Sequence, residues 1–226
     1  MGLDVTAYGQ LALHCKCRTQ EDAFEVLNQS ETNYFTDWLR ANPGKSYEDW
    51  EAAASNKVEP WNPPCLVCVD PQPDERFSVQ FGYNVIPYWV YTYKTAFSFR
   101  VGSYTYYDEW RRVLALLATG RSMQEVWKTP LAERGTVPFY YLLDFPDCQG
   151  AIGADCSAKL YADFVDNEKP IRELLSGESV IQLGDKFPII SQVLHTRKDH
   201  RWFWRVYRGW KRAFNIARRN GVVVLY

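Results

Sequence analysis

The alternation of apolar and polar residues along the chain predicts several strands. In the segment 77–101 nearly every odd position is apolar, and most even positions are polar or small. A period of two is typical of strands with one buried face. This segment therefore predicts two or three strands, interrupted near residues 82–84, Pro87 or residues 94–95. The segment 3–8 alternates in the same way and predicts a further strand.

A spacing close to 3.6 residues predicts a long amphipathic helix near the C-terminus. One side of this helix is apolar and carries Phe203, Val206, Tyr207, Trp210, Ala213, Phe214 and Ala217. The other side is basic and carries Arg201, Arg205, Arg208, Arg212 and Arg219. We expect the apolar side to be buried against a sheet. Gly221 predicts the end of the helix, and residues 222–225 predict a terminal strand.

Shorter patterns complete the predicted fold. They predict helices in the segments 19–28, 34–39, 46–54, 106–117 and 122–128, and a strand at 139–143. Five prolines between Glu59 and Glu75 predict a loop or an extended excursion. The predicted fold class is therefore α+β, with an antiparallel or mixed sheet packed by helices. We expect a single domain of residues 1–226, in which 14–76 form an inserted lobe of helices and loops.

Charge is unevenly distributed along the chain, whose net charge is −1. Residues 197–226 hold nine lysines and arginines and one acid, so the first 196 residues carry a charge of −9. Such a basic segment can recruit a polyanion, or it can dock on the acidic body of the protein. No run reaches 18 apolar residues, and no lysine or arginine precedes Lys16. We therefore expect no membrane span, no secretory signal and a cytoplasmic location.

A glycine-rich segment is the first candidate for a binding site. Gly150 and Gly153 follow an apolar run and precede a helical pattern that begins at Ser157. A glycine-rich turn between a strand and a helix presents backbone N–H groups where anionic groups bind. Lys159 can reach a phosphate there, while Asp147 suits a ligand that also carries hydroxyl groups. Asp155 is interpreted as the N-cap of the helix rather than as a ligand contact.

A second segment predicts another part of the same pocket. Gly102, Ser103 and Tyr104 come just before an aromatic helix, where backbone N–H groups can again face a ligand. Tyr107 and Arg111 follow on that helix, and the guanidinium of Arg111 can hold a phosphate through two hydrogen bonds. Together the two segments predict a site for a small anionic, nucleotide-like ligand.

Four cysteines in the N-terminal half of the chain form a candidate metal site. Cys15 and Cys17 form a Cys-x-Cys pair, and Cys65 and Cys68 form a Cys-x-x-Cys pair. Four thiolates can hold a structural zinc ion in tetrahedral geometry, and His14 can replace one of them. The 47 intervening residues exceed the usual gap in small zinc modules. Free thiols and disulfides therefore remain alternatives.

Three segments together resemble a family of small phage and bacterial proteins, mostly of unassigned function. They are the opening Met1–Tyr8, the segment Phe99–Arg111 with its Phe-Arg-Val-Gly-Ser-Tyr start, and the segment Pro138–Leu160. Members of this family end in an aromatic and basic helix and a short strand, as residues 210–222 do here.

The resemblance extends over residues 1–13 and 97–226, while the cysteine-bearing region 14–76 departs from the family pattern. A phage setting implies a role in host takeover or counter-defence, in the cytoplasm of the host. Small phage proteins of that kind often sequester signalling nucleotides. The resemblance thus implies an accessory protein that binds and withdraws such a ligand.

Two other classes of function remain open. The aromatic excess, with Trp202 and Trp204 as candidates for exposure, suggests a module that binds a host protein or another copy of the chain. A hydrolase of a nucleotide-like substrate would rely on Asp144, Asp147 and Asp155. No catalytic motif such as Gly-x-Ser-x-Gly, a Walker lysine or His-Glu-x-x-His is present, so no catalytic residue is predicted. The arginine side of the last helix is interpreted as solvated, so we expect no nucleic-acid partner.

Overall fold

The computed structural model describes residues 2–18, 20–56, 66–68, 89–145, 150–176 and 184–225. The fold class is α+β, as the sequence predicts. The chain divides into two compact units. Of the described residues, the first unit contains 2–9 and those from 95 to 225, and the second contains those from 10 to 68 and 89–94.

Strands and helices follow one another in both units. The strands are β1 (Gly2–Gly9), β2 (Ala12–Cys15), β3 (Leu66–Cys68), β4 (Val90–Thr92), β5 (Thr95–Ser103), β6 (Gly150–Gly153) and β7 (Val222–Leu225). The helices are α1 (Gln20–Ala41), α2 (Tyr47–Asn56), α3 (Tyr104–Thr119), α4 (Met123–Trp127), α5 (Tyr140–Leu143), α6 (Ala154–Leu174), α7 (Pro188–Val193) and α8 (Arg197–Ala217). A 3-10 helix covers Leu131–Thr136. None of the helices in the described ranges combines the length and apolarity needed to cross a bilayer.

Each unit has an antiparallel sheet. In the first unit the strand order is β5-β1-β7-β6, and in the second unit it is β2-β4-β3. The predicted alternation is visible in β1, where Leu3, Val5 and Ala7 are fully buried. On the opposite face of the same strand, the hydroxyls of Thr6 and Ser98 share a hydrogen bond of 2.9 Å. Strand β1 thus has one apolar and one polar face, as its alternation predicts.

Helix α8 confirms the amphipathic prediction. All seven apolar residues that were assigned to one side have no exposed surface, and they pack in the core beneath the sheet. The five arginines assigned to the other side are exposed. The chain leaves the helix through Asn220, which has a positive φ of 53°, and turns into β7. Gly221 is required there because a Cβ atom would lie 2.1 Å from the backbone oxygen of Tyr8.

Several predicted helix starts are confirmed by capping contacts. The backbone N–H of Ser46 donates to Asp49 over 3.0 Å before α2 begins. Ser122 and Glu125 form a reciprocal capping box at the start of α4. The patterns at 19–28 and 34–39 belong to one helix, α1, because no glycine or proline interrupts residues 20–41. These local signals operate over three or four residues, so they are readable from sequence.

The predicted strand at 139–143 is wrong, because the segment forms the short helix α5. Phe139 has a positive φ of 59° and sits at the helix start. Its N–H donates to the carboxylate of Asp163 on α6 over 2.9 Å. A contact with a residue 24 positions away therefore fixes the backbone, and the apolar run itself is too short to distinguish a helix from a strand.

The predicted glycine turn is also wrong, because Gly150 and Gly153 are the two ends of β6. Gly150 pairs with Leu225 and Gly153 pairs with Val222 of β7. Gly150 has a φ of 138°, and a Cβ atom there would lie 2.7 Å from the ring of Phe145. Gly150 thus allows the close approach of a buried ring, and both glycines belong to the sheet rather than to an open turn.

One further prediction needs correction, and two other predicted segments are described only in part. Helix α6 begins at Ala154 with Gly153 in the N-cap position, so Asp155 lies inside the first turn and is not the cap. The predicted loop between Glu59 and Glu75 contains the strand β3, and its other residues lie outside the described ranges. The alternating segment 77–101 supplies β4 and β5, while its residues 77–88 also lie outside them.

An ion pair joins α6 to α8 and gives a test of pH dependence. Lys211 donates to the Glu168 carboxylate over 2.7 Å, and Arg172 donates to its other oxygen over 3.0 Å. The hydrogen bond from Lys211 and the Arg172 contact lower the pKa of Glu168 below its ordinary value of 4.5. The ionised carboxylate is therefore favoured by folding.

Replacing Glu168 with glutamine is expected to lower the free energy of unfolding by less than about 1 kcal/mol at neutral pH. Because the folded pKa is the lower one, this contribution is present above about pH 4.5 and is lost as pH falls through the folded pKa. Denaturant unfolding of both proteins from neutral to acid pH should show the difference shrinking toward zero.

Glu173 provides the matched control for this experiment. Its carboxylate lies 3.8 Å from Lys169 in an exposed pair on the same helix. Replacing Glu173 with glutamine is expected to leave the free energy of unfolding unchanged across the same pH range. A Glu168→Gln difference that stayed constant into acid would contradict the assignment of the ion pair.

Candidate functional site

A cleft of about 450 Å³ opens in the first unit between α3, α7 and the beginning of α8. Its lining consists of Tyr106, Glu109, Val193, Lys198, Asp199, Arg201, Trp202 and Arg205. A cleft of this volume suits a small molecule, since ligand pockets in proteins commonly measure about 300–1,000 Å³.

Local capping signals fix two of the helices that frame the cleft. Ser103 caps α3, where its hydroxyl accepts the N–H of Tyr106 over 3.2 Å. Thr196 and Asp199 form a reciprocal capping box at the start of α8, and the Asp199 carboxylate accepts from the N–H and the hydroxyl of Thr196, each over 2.8 Å. These hydrogen bonds lower the pKa of Asp199. The Asp199 carboxylate is thus engaged by the cap.

Two aromatic rings form an apolar part of the lining. The rings of Tyr106 and Trp202 lie 5.8 Å apart with an angle of 58° between their planes. Trp202 is half-buried, and its indole N–H donates to the backbone oxygen of Val101 over 3.5 Å. Tyr106 is 57% exposed. The fixed tryptophan and the open tyrosine together present aromatic surface on which a flat ligand group can stack.

Three cations of the cleft have no side-chain partner among the described residues. The side chains of Lys198, Arg201 and Arg205 are exposed and make no ion pair or hydrogen bond within the described part of the chain. Exposed guanidinium and ammonium groups of this kind are available to bind phosphate or carboxylate oxygens.

Other cations of the same C-terminal segment are already engaged. Lys211 binds Glu168 over 2.7 Å. The guanidinium of Arg212 lies 4.3 Å from the centre of the Phe97 ring, and that of Arg218 lies 4.1 Å from the centre of the Tyr161 ring. Arg212 and Arg218 stack on aromatic rings and do not line the cleft. The charge that can serve a ligand there is concentrated at the beginning of α8.

The predicted ligand residues on α3 are buried and have internal contacts. Arg111 donates to the backbone oxygen of Phe145 over 2.7 Å, and its guanidinium lies 4.6 Å from the centre of the Tyr107 ring. Arg111 therefore joins α3 to Phe145, which directly precedes residues 146–149. Those four residues, which include the predicted ligand residue Asp147, lie outside the described ranges.

The other predicted ligand residues are also used within the fold. Gly102 has a φ of 137° beside an irregularity in the β1–β5 pairing, and Tyr104 packs against the core. Ser157 is buried and donates to the backbone oxygen of Ile152 over 3.5 Å. Lys159 donates to both carboxylate oxygens of Asp163, over 2.5 and 2.7 Å. Burial raises the pKa of Asp163, against the effect of Lys159.

The free thiol of Cys156 lies in the same buried region. Its side chain is buried in the core, and burial raises its pKa far above the ordinary value. A thiol of this kind stays protonated at neutral pH and is a poor nucleophile. Cys148, the other cysteine that flanks the glycines, lies outside the described residues.

The structure describes two of the four predicted zinc ligands with their side chains. The Sγ atoms of Cys15 and Cys17 lie 3.7 Å apart, within hydrogen-bonding range of each other. Cys65 and the side chain of Cys68 lie outside the described residues. Among the described residues, no group of three His, Cys, Asp or Glu side chains is placed to hold a metal ion. Zinc binding therefore stays a prediction.

The cleft contains residues that the sequence did not single out. Tyr106, Glu109 and Lys198 had no assigned role in the sequence analysis. The sequence offered three signals for this cleft, namely Arg201, Trp202 and Arg205 in the predicted last helix. The cleft needs α3 and α7 as further walls, and residues about 100 positions apart meet only after folding.

Comparisons with known proteins give no relative from which a function can be transferred. No protein-family model, curated protein or solved structure matches the chain significantly. The resemblance to small phage and bacterial proteins stays a prediction. The function is therefore inferred from the residues that line the cleft.

Proposed function

We propose that this protein binds a small anionic, nucleotide-like ligand in the cleft between α3, α7 and α8. The observation that carries the proposal is the meeting of three cations, which are unpaired among the described residues, with two aromatic rings in one cleft of about 450 Å³. A nucleotide joins phosphates, which bind to cations, to a flat base, which stacks on aromatic rings.

The arrangement of the cations favours an anionic ligand. Arg201 and Arg205 are four residues apart on α8, and Lys198 is three residues before Arg201. Like charges at these spacings repel one another by a few tenths of a kcal/mol on a helix. A bound anion offsets this repulsion and adds charge-assisted hydrogen bonds. Both effects make the free energy of binding an anion more favourable.

The rest of the lining favours a nucleotide over a bare phosphate. Tyr106 and Trp202 offer aromatic surface that an inorganic anion cannot use. Glu109 also lines the cleft, and its carboxylate has no hydrogen bond or ion pair with another described residue. A carboxylate repels a phosphate but accepts hydrogen bonds from ribose hydroxyls. A ligand with a base, hydroxyl groups and phosphates uses every part of the lining.

Binding without chemical conversion is the simplest use of this site. The described lining contains no serine, cysteine or histidine that would form a nucleophile with a base. Trp204, a candidate for a protein interface, is half-buried and lies 4.6 Å from the guanidinium of Arg172. We therefore favour sequestration of the ligand over hydrolysis and over a tryptophan-centred protein interface. The resemblance to phage proteins would make counter-defence the setting.

Isothermal titration calorimetry with cyclic and linear adenine nucleotides tests the proposal. One ligand is expected to bind per chain, and Arg201→Ala or Arg205→Ala should each weaken binding by about tenfold or more. Tyr106→Ala should weaken the binding of a nucleotide but not that of inorganic pyrophosphate. Arg219→Ala is the matched control, because this exposed arginine lies outside the cleft, and it should leave the affinity unchanged.

Two results would contradict the proposal. The first is an absence of binding heat across the whole panel of nucleotides. The second is binding that survives in Arg201→Ala and Arg205→Ala but is lost in Arg111→Ala or Lys159→Ala, which would place the ligand at the glycine segment. Mass spectrometry of a bound nucleotide after incubation then separates the two activities: an intact ligand indicates sequestration, and a cleaved ligand indicates a hydrolase.

A further inference from the structure

The three free cations of the cleft form a row rather than a cluster around one point. Lys198, Arg201 and Arg205 occupy positions i, i+3 and i+7 of α8, which keeps them within about 60° around the helix axis. At 1.5 Å per residue, the backbone positions of the first and last are about 10 Å apart. One phosphate is too small to use the full length of such a row.

The distribution of the cations in the cleft favours a ligand with more than one anionic group. The carboxylate of Asp199 keeps its negative charge, but its hydrogen bonds to Thr196 hold it in the cap of α8. Glu109 is the one other acid in the described lining. A single phosphate can contact only part of the row of cations, so a second phosphate gains contacts that the first cannot reach.

The two walls of the cleft suit two different parts of a ligand. Tyr106 and Glu109 belong to α3, whereas the row of cations belongs to α8. A base and its sugar match the ring and carboxylate of α3, and a chain of phosphates matches α8. We infer that the ligand class is a nucleotide with two linked phosphates, such as a nucleoside diphosphate; this inference rests on the proposed function.

Calorimetry of the full chain with adenosine, AMP, ADP and pyrophosphate tests the inference. ADP should bind at least about tenfold more tightly than AMP, because a second phosphate gains a further charged contact. Pyrophosphate should bind more weakly than ADP, since it lacks the base. The double variant Lys198→Ala/Arg205→Ala should abolish the preference for ADP over AMP, while Arg219→Ala should retain it.

The outcomes distinguish the diphosphate inference from the proposed binding function. Equal affinities for AMP and ADP, both dependent on Arg201, would overturn the diphosphate inference and leave the binding function intact. A preference for ADP that persists in the double variant would also overturn it. Absence of binding by all four compounds would overturn the inference and contradict the proposed function for adenine nucleotides.

Discussion

Replacing Trp210 with alanine is expected to lower the free energy of unfolding by about 3–5 kcal/mol. Trp210 has no exposed surface and lies at the centre of an aromatic cluster. Its ring stacks on that of Phe214 at 5.4 Å, meets that of Phe99 edge-on at 5.5 Å and lies 5.8 Å from that of Tyr107. Truncation removes these contacts and leaves a cavity between α8, α3 and β5.

Chemical denaturation followed by far-UV circular dichroism measures this effect. Trp210→Phe is a second variant that keeps most of the packing, and it should cost less, on the order of 1–2 kcal/mol. No hydrogen bond is lost in that variant, because the indole N–H of Trp210 has no partner among the described residues. Arg208→Ala, on the exposed side of α8, should change the free energy by less than about 0.5 kcal/mol. Equal stabilities of Trp210→Ala and Arg208→Ala would show that the aromatic cluster does not stabilise the fold.

A second large effect is expected at Asp163, where alanine should lower the free energy of unfolding by about 2–4 kcal/mol. The carboxylate accepts the N–H of Phe139 over 2.9 Å and binds the ammonium of Lys159. Without it, the buried N–H of Phe139 loses its acceptor, and the backbone at positive φ loses its support. The Lys159 side chain is 29% exposed and can recover contact with water, which limits the loss.

Two variants on the same helix isolate this contribution. Asp163→Asn keeps an oxygen that can accept the N–H of Phe139, so it should cost less than Asp163→Ala. Asp166→Ala removes an exposed carboxylate from α6 and should change the free energy by less than about 0.5 kcal/mol. Denaturant unfolding of the three variants is the measurement. An Asp163→Ala protein as stable as Asp166→Ala would refute the role of this carboxylate at the start of α5.

Much of the candidate site could not be predicted because it depends on which charged groups find internal partners. The sequence placed Arg205, Arg212 and other arginines together on one exposed side of the last helix. The structure separates them, since Arg212 stacks on Phe97 whereas Arg205 faces the cleft. Arg111 matched the pattern of a phosphate ligand, yet it is buried and bonded to the backbone of Phe145. Such assignments depend on neighbours from other elements of the fold.

The sequence by itself determined the elements whose signals are local. The alternation in β1, the apolar side of α8 and the caps at Ser46, Ser122 and Thr196 all act within one element or one turn. Burial of an alternating or helical stripe and satisfaction of free N–H groups at a helix start are favourable in almost any surroundings. For that reason the α+β class and the terminal helix and strand could be read from the chain.

Only the tertiary structure decided the elements whose local signal is ambiguous. Residues 139–143 form a helix because Asp163, on another element, accepts the N–H that begins it. Gly150 and Gly153 form a strand because β7, about 70 residues later, pairs with them. The cleft likewise exists because Tyr106 and Trp202 meet across nearly 100 residues of sequence. Contacts of this range depend on the packing of the whole unit, which a pattern of a few neighbouring residues does not contain.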